Sequence, residues 1–222
     1  MRNRQRVNFK ANALQERFID LWQRCSVGKS ARNAEDVYEL LLNKYSESNR
    51  HYHDVTHLLH CMDQLDQASH LLTETDAIEL ALWFHDAVYT PGCPDNEQKS
   101  AELFMQYAVS GFSDQLKQKV TDLILITRHQ DVPKNDDERY ISDIDLSSFG
   151  FEWKEFLIDT ANLRREYIDI PDSDYFRAHT DFLKSLLAKE RIFYTDFFYL
   201  RFEQTALFNI NHLLSDKKYQ GY

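Results

Sequence analysis

Apolar residues recur through most of the chain at intervals of three and four, the spacing of helices that bury one face. Leu14, Phe18, Leu21 and Trp22 mark a first helix over 11–25, closed by Gly28. Residues 1–10 carry no such pattern and read as a loose polar arm. Asn33 to Asp36 resembles a capped start, followed by Val37, Leu40 and Leu41. Val55, Leu58, Leu59, Met62 and Leu65 form the next helical stripe. Ile78, Ala81 and Leu82 line a helix capped by Thr75, and His85 continues the same face. A loop over 90–95, with two prolines and a glycine, leads to a helix over 97–110 capped by Asp95 or Asn96. Ser113 caps a helix carrying Leu116, Val120, Leu123, Ile124 and Ile126. A polar loop over 131–137 precedes a short apolar segment over 140–149 that Gly150 ends. Three further helices read over 151–167, 174–188 and 195–214. No repeat, low-complexity tract or long linker interrupts this succession. It predicts one all-α domain over 1–222, with its core motifs in 45–150 and the helices of 151–215 packed on that part.

Composition supports that reading. Hydrophobic residues are 43% of the 222 and aromatics 14%, enough for a substantial core, while five Gly and four Pro are few for a many-turned β fold. The net charge of −10 argues against general nucleic-acid or anionic-membrane binding, which needs a basic surface. No apolar run approaches a membrane span, and no apolar segment follows the basic start to make a signal peptide. Cys25, Cys61 and Cys93 are odd in number and scattered, as expected of reduced thiols in a cytoplasmic protein. The aromatic group Phe193, Tyr194, Phe197, Phe198, Tyr199 and Phe202 reads as core or as a homodimer face.

The chemistry concentrates around Ile78 to Tyr89, I-E-L-A-L-W-F-H-D-A-V-Y. There an imidazole and a carboxylate, His85 and Asp86, arrive together at the end of an apolar helix. Burying both is costly unless each has a partner, and a metal ion satisfies both at once. His57, His129 and Asp145, from three other helices, could complete such a site. Imidazole and carboxylate ligands suit Mn²⁺, Fe²⁺, Co²⁺, Ni²⁺, Zn²⁺ or Mg²⁺. A site of this kind can acidify water and hold a phosphoryl oxygen. His53 and His57, at i and i+4, also resemble a zincin helix, but Asp54 stands in place of the Glu base and His85-Asp86 would go unexplained.

The order His57, His85-Asp86, Asp145 resembles the H…HD…D signature of the HD-domain superfamily of metal-dependent phosphohydrolases. The local text is similar to its subfamily of uncharacterised predicted HD phosphohydrolases. Arg50-His51-Tyr52-His53 with His57 matches R-x-Y-H-x-x-x-H, and Trp83 to Tyr89 matches W-F-H-D-x-x-Y. Asn96-Glu97 with Ser100-Ala101, Thr127 with His129, and Asp143-Ile144-Asp145-Leu146 match its further motifs. The resemblance implies an HD helical bundle with a central divalent metal held by His57, His85, Asp86 and Asp145. Asp143 is the rival to Asp145, since two residues at i and i+2 cannot face one point from a helix; Asp145 is preferred because Leu146 follows it. Two-metal relatives carry two extra histidines where this chain offers His129 alone. Glu97, expected in a first helical turn after the 90–95 loop, could position or deprotonate a water and with Asp86 makes the expected catalytic set; Arg50 could reach a phosphate bidentately, and Arg50, His53 and His129 are the expected contacts of a small phosphorylated substrate, such as a nucleotide. The alternatives are a nucleotide-binding or interaction module with a structural metal, and an HD-type di-iron oxygenase.

Overall fold

The computed structural model describes residues 2–26, 33–73, 75–109, 111–216 and 219, and of residues 2–12 the backbone alone. Among the described residues the chain is a helical bundle with no strand. In chain order the α-helices are α1 (Arg2–Cys25), α2 (Ala34–Tyr45), α3 (Val55–Ala68), α4 (Asp76–Phe84) and α5 (Asn96–Tyr107). They continue as α6 (Asp114–Ile126), α7 (Asp136–Leu146), α8 (Trp153–Glu166), α9 (Asp172–Leu187) and α10 (Asp196–Leu214). Short 3-10 turns cover Ser69–Leu71 and Ser147–Gly150. No described helix is long and apolar enough to cross a membrane.

Helix α4 is the hub. Every residue from Ala77 to Phe84 is buried, and the helix packs against α1, α3, α5, α6 and α7. A helix apolar on all sides must be enclosed on all sides. The buried apolar side chains form one cluster that runs from Leu14 on α1 to Tyr219. Of the C-terminal aromatics, Phe193 and Phe198 lie in that cluster, while Tyr199 is 39% exposed.

Local chemistry sets the helix starts. The Asp54 carboxylate accepts from the amides of Thr56 and His57 and so begins α3 at the residues that carry the candidate ligand. Ser113 caps α6 and Asn135 caps α7, where Glu138 reaches back to the Lys134 amide as in a capping box. Thr75 and Asp95 occupy N-cap positions but make no capping bond from their side chains. The Asn96 side chain instead binds both the amide and the carbonyl of Thr90, which folds the 90–95 loop back on α5.

Three expectations change. The polar arm over 2–10 is helical and belongs to α1; it holds no Gly or Pro, so a helix already packed over 11–25 extends through it. The closing glycine, Gly28, lies outside the described residues. Helix α4 stops at Phe84: His85 keeps helical dihedrals as its C-cap, but Asp86 turns away. The helix expected over 97–110 ends at Tyr107, and Ser110 is outside the described residues.

The end of α7 and the start of α10 are locked together. Asp143, fully buried, accepts from the amides of Tyr194 and Thr195 and from the Thr195 hydroxyl. Asn209 donates to the carbonyls of Phe149 and Phe151. Between them Gly150 lies so close to α10 that an added Cβ would sit 2.4 Å from the Phe202 Cβ. Gly150→Ala must push the 3-10 turn away from α10. It is expected to destabilise the fold by about 1–3 kcal/mol, the range for overpacking a tight contact. Denaturant unfolding checks this, and an unchanged midpoint would show that the contact yields freely.

Candidate metal centre

Four segments deliver the polar groups. His57 comes from the first turn of α3, His85 and Asp86 from the end of α4, His129 from the turn after α6, and Asp145 from the last turn of α7. The Nε2 atoms of His57 and His85 stand 3.3 Å apart. Asp145 Oδ1 is 3.2 Å from the first and 3.5 Å from the second. Asp86 Oδ2 is 3.6 Å and 3.1 Å from the same two nitrogens. Ligand atoms about 2.1 Å from a common ion at angles of roughly 90–110° would be about 3.0–3.5 Å apart. The observed separations fit that spacing closely.

A thiol joins the group. Cys61 lies one turn after His57 on α3, with Sγ 3.6 Å from His57 Nε2. One ligand atom each from His57, Cys61, His85 and Asp145 lies within 4.8 Å of the others, a set that could hold a metal ion. Burial, aided by the facing Asp145 and Asp86, pushes the Cys61 thiol well above its ordinary pKa.

Each donor is held from behind. The His85 Nδ1–H donates to the Leu82 carbonyl at 2.8 Å, so in the neutral ring Nε2 carries the lone pair. Asp145 Oδ2 is 2.8 Å from His129 Nε2, which leaves Oδ1 turned toward His57 and His85. His129 achieves this with a positive φ of 57°, a strained conformation for a residue with a side chain. Burial alone would raise the two carboxylates, but the imidazoles facing them hold Asp86 and Asp145 well below the usual range. Burial would lower His85, yet Asp86 and Asp145 outweigh it and raise its pKa well above normal. The cluster therefore attracts positive charge strongly, as protons or as an ion.

The cluster opens on one side. His57 and His85 side chains are only 3% and 1% exposed, whereas Asp86 and Asp145 reach 12% and 15% and line a cavity of about 350 Å³. Glu97, in the first turn of α5, faces the same cavity with its pKa raised by burial and by Asp86 and Asp145, against the pull of Arg128. His53 also lines it. Its Nδ1 is 2.7 Å from Glu166 Oε2, and its ring lies 4.1 Å from that of Tyr89, centre to centre. Glu166 Oε1 accepts from the amides of His51, Tyr52 and His53. Against the effect of burial, those bonds and His53 bring the Glu166 carboxyl down to about 2.

Arg50 requires a correction. Its guanidinium is buried and donates to the carbonyls of His53, Asp86 and Ala87, with Nε on Glu47. It satisfies carbonyls left free where α4 ends, which favours a cation there, and clamps the His85-Asp86 turn to the His53 segment. With four of its five N–H groups engaged and no place in the cavity wall, it is not available to a substrate. Asp143 faces away from the cluster toward α10, and Asp145 meets it.

Arg128 and Asp159 were not singled out from the sequence. Arg128 is the only Lys or Arg among the described residues that line the cavity. Its Nε is buried without a hydrogen bond, 3.7 Å from Glu97 Oε2. Asp159, on α8, has its pKa raised to about 6 by burial. Adjacency of Arg128 to His129 was the one available signal; Asp159 had none, because α8 meets the site only in three dimensions.

Comparison with protein-family models, with curated proteins and with solved structures gives no match.

The geometry predicts that metal loading depends on particular side chains. His85→Ala and Asp145→Asn are expected to purify with little metal, because removing one donor leaves the rest unpaired. Asp143→Asn should keep its metal and lose stability, since it breaks only the anchor of α10. Elemental analysis of the purified variants decides this. Equal metal in wild type and His85→Ala would place any ion elsewhere.

Proposed function

We propose that this chain is an HD-type metal-dependent phosphohydrolase acting on a small phosphate ester. The observation that carries the reading is the convergence of His57, His85, Asp86 and Asp145 at the floor of a cavity whose wall holds one arginine. In this reading Asp86 completes the ligand set in place of Cys61. Asp86 reaches the cavity, whereas Cys61 is 0% exposed and does not line it. The order of motifs that resembles the HD superfamily points the same way. A divalent ion held there would supply Lewis acidity, making water more acidic and drawing charge from a phosphoryl oxygen.

The chain's own residues divide the remaining work. Arg128, tied loosely to Glu97 in the absence of substrate, turns its guanidinium to the phosphate oxygens and holds them by charge-assisted hydrogen bonds. Glu97, its pKa raised by burial and by the nearby Asp86 and Asp145, takes the proton of the attacking water at its carboxylate. Asp159 stands across the cavity with a proton available at mildly acidic pH for the departing ester oxygen. His129 keeps Asp145 turned to the cluster, and His53, fixed by Glu166, adds positive charge beside the phosphate. Two carboxyl groups with different surroundings thus take the base and acid parts.

Two variants separate these roles, once a substrate is found by screening phosphomonoesters and nucleotides with Mn²⁺, Co²⁺ and Mg²⁺. Glu97→Gln should retain metal and fold but lower kcat by roughly a hundredfold or more. Arg128→Ala should lower kcat/KM by about 10- to 100-fold, the loss of a hydrogen bond to a charged group. Unchanged kcat in Glu97→Gln removes Glu97 from the proton path. No hydrolysis of any ester with any of the three metals overturns the assignment.

A further inference from the structure

Away from the metal cluster the cavity changes character. Helix α8 and its C-cap present Phe156, Leu163 and Tyr167 to it, separated by seven and then four residues along one face. Helix α9 presents Tyr175, Ala178 and Phe182, spaced at three and four. These two helices are not among the closely packed pairs of the bundle, and the cavity extends between them. Rings continue from the metal end into this slot. The ring centre of Phe182 is 6.5 Å from that of His129 and 6.3 Å from that of Phe149, which is in turn 5.7 Å from Phe156. On the other side Tyr167 lies 5.3 Å from Tyr175.

Asp159 apart, the polar side chains between α8 and α9 are largely engaged with their own neighbours. The Thr160 hydroxyl donates to the Phe156 carbonyl of its own helix. His179 Nδ1 sits 3.3 Å and 3.1 Å from the hydroxyls of Tyr175 and Tyr219. A sugar or a nucleobase edge placed here would give up hydrogen bonds to water and find few replacements. A flat apolar ring would lose nothing and gain contact with aromatic walls.

We propose that the slot between α8 and α9 seats the leaving group of the substrate, and that this group is an apolar aromatic ring. The ligand class is therefore an aryl or arylalkyl phosphomonoester, with its phosphate at Arg128 and the metal cluster and its ring between Leu163 and Phe182. The inference rests on the phosphohydrolase reading for the chemistry but not for the binding. Asp159 lies on the same face of α8, between Phe156 and Leu163, so the ester oxygen that joins ring to phosphate would fall beside it.

Binding tests the slot without any turnover. Calorimetry with Mn²⁺-loaded protein compares phenylphosphonate with methylphosphonate, which share the anionic head and differ in the ring. The phenyl compound is expected to bind at least about tenfold more tightly, the scale of ring stacking on protein aromatics. Ala178→Trp, which fills the slot from an exposed position on α9, should bring the ratio to about one; Leu163→Trp fills it from α8 should the first variant not fold. Equal affinities in the wild type, or a ratio untouched by a filled slot, would overturn the inference. A hydrolysis arm compares phenyl phosphate with adenosine monophosphate, and a higher kcat/KM is expected for phenyl phosphate. The reverse order would make the ring a nucleobase and overturn the apolar assignment. If neither ester is hydrolysed, the full ester screen decides the phosphohydrolase reading, and the phosphonate ratio still decides the slot.

Discussion

Two carboxylates, Asp86 and Asp145, press against the same pair of imidazole nitrogens inside a helical bundle. Such a gathering of charge in a low-dielectric interior persists only if positive charge sits among it. Much of the surrounding structure meets that demand by fixing direction. Leu82 orients the His85 ring, and His129 accepts a strained backbone to turn Asp145. Arg50 joins the carbonyls of the turn after α4 to the segment before α3. Glu166, from α8, gathers three amides of that segment onto one oxygen. None of these groups need touch a ligand, yet each limits where a donor atom can go.

The cavity above this centre is divided by chemistry. Its floor carries carboxylates, its wall carries Arg128, the only Lys or Arg among the described lining residues, and its far end is walled by rings from α8 and α9. A chain with net charge −10 repels anions at long range, so an anionic substrate depends on local positive charge. Arg128 with Glu97 provides a reserve of such charge, since a pair 3.7 Å apart is easily parted by a better partner. The aromatic end adds affinity that does not depend on charge at all.

Much of the bundle was legible in the sequence because its helices bury one face, and a period of 3.6 survives in the text. The stripe of Val55, Leu58, Leu59, Met62 and Leu65 and that of α6 fall where the spacing placed them. Helix α4 was legible as buried but not in its end, since the turn at Asp86 is stabilised by Arg50, distant in sequence. That His57, His85, Asp86 and Asp145 would come together was legible because their order carries information. Cys61 had a signal, standing one turn from His57, that went unused. Arg50 was misjudged because an arginine near a histidine motif reads alike whether it faces a phosphate or a carbonyl. Glu166 and Asp159 were silent, as their roles arise only when α8 packs across the site.

The proposed metal centre is built from two imidazoles and two carboxylates, with the nearby thiol left out. X-ray absorption of the Co²⁺-loaded protein tests it most directly. The account predicts a first shell of nitrogen and oxygen at about 2.0–2.2 Å with the outer-shell scattering of two imidazoles. A sulfur at about 2.3 Å would bring Cys61 into the centre, and a shell without imidazole scattering would contradict the site altogether.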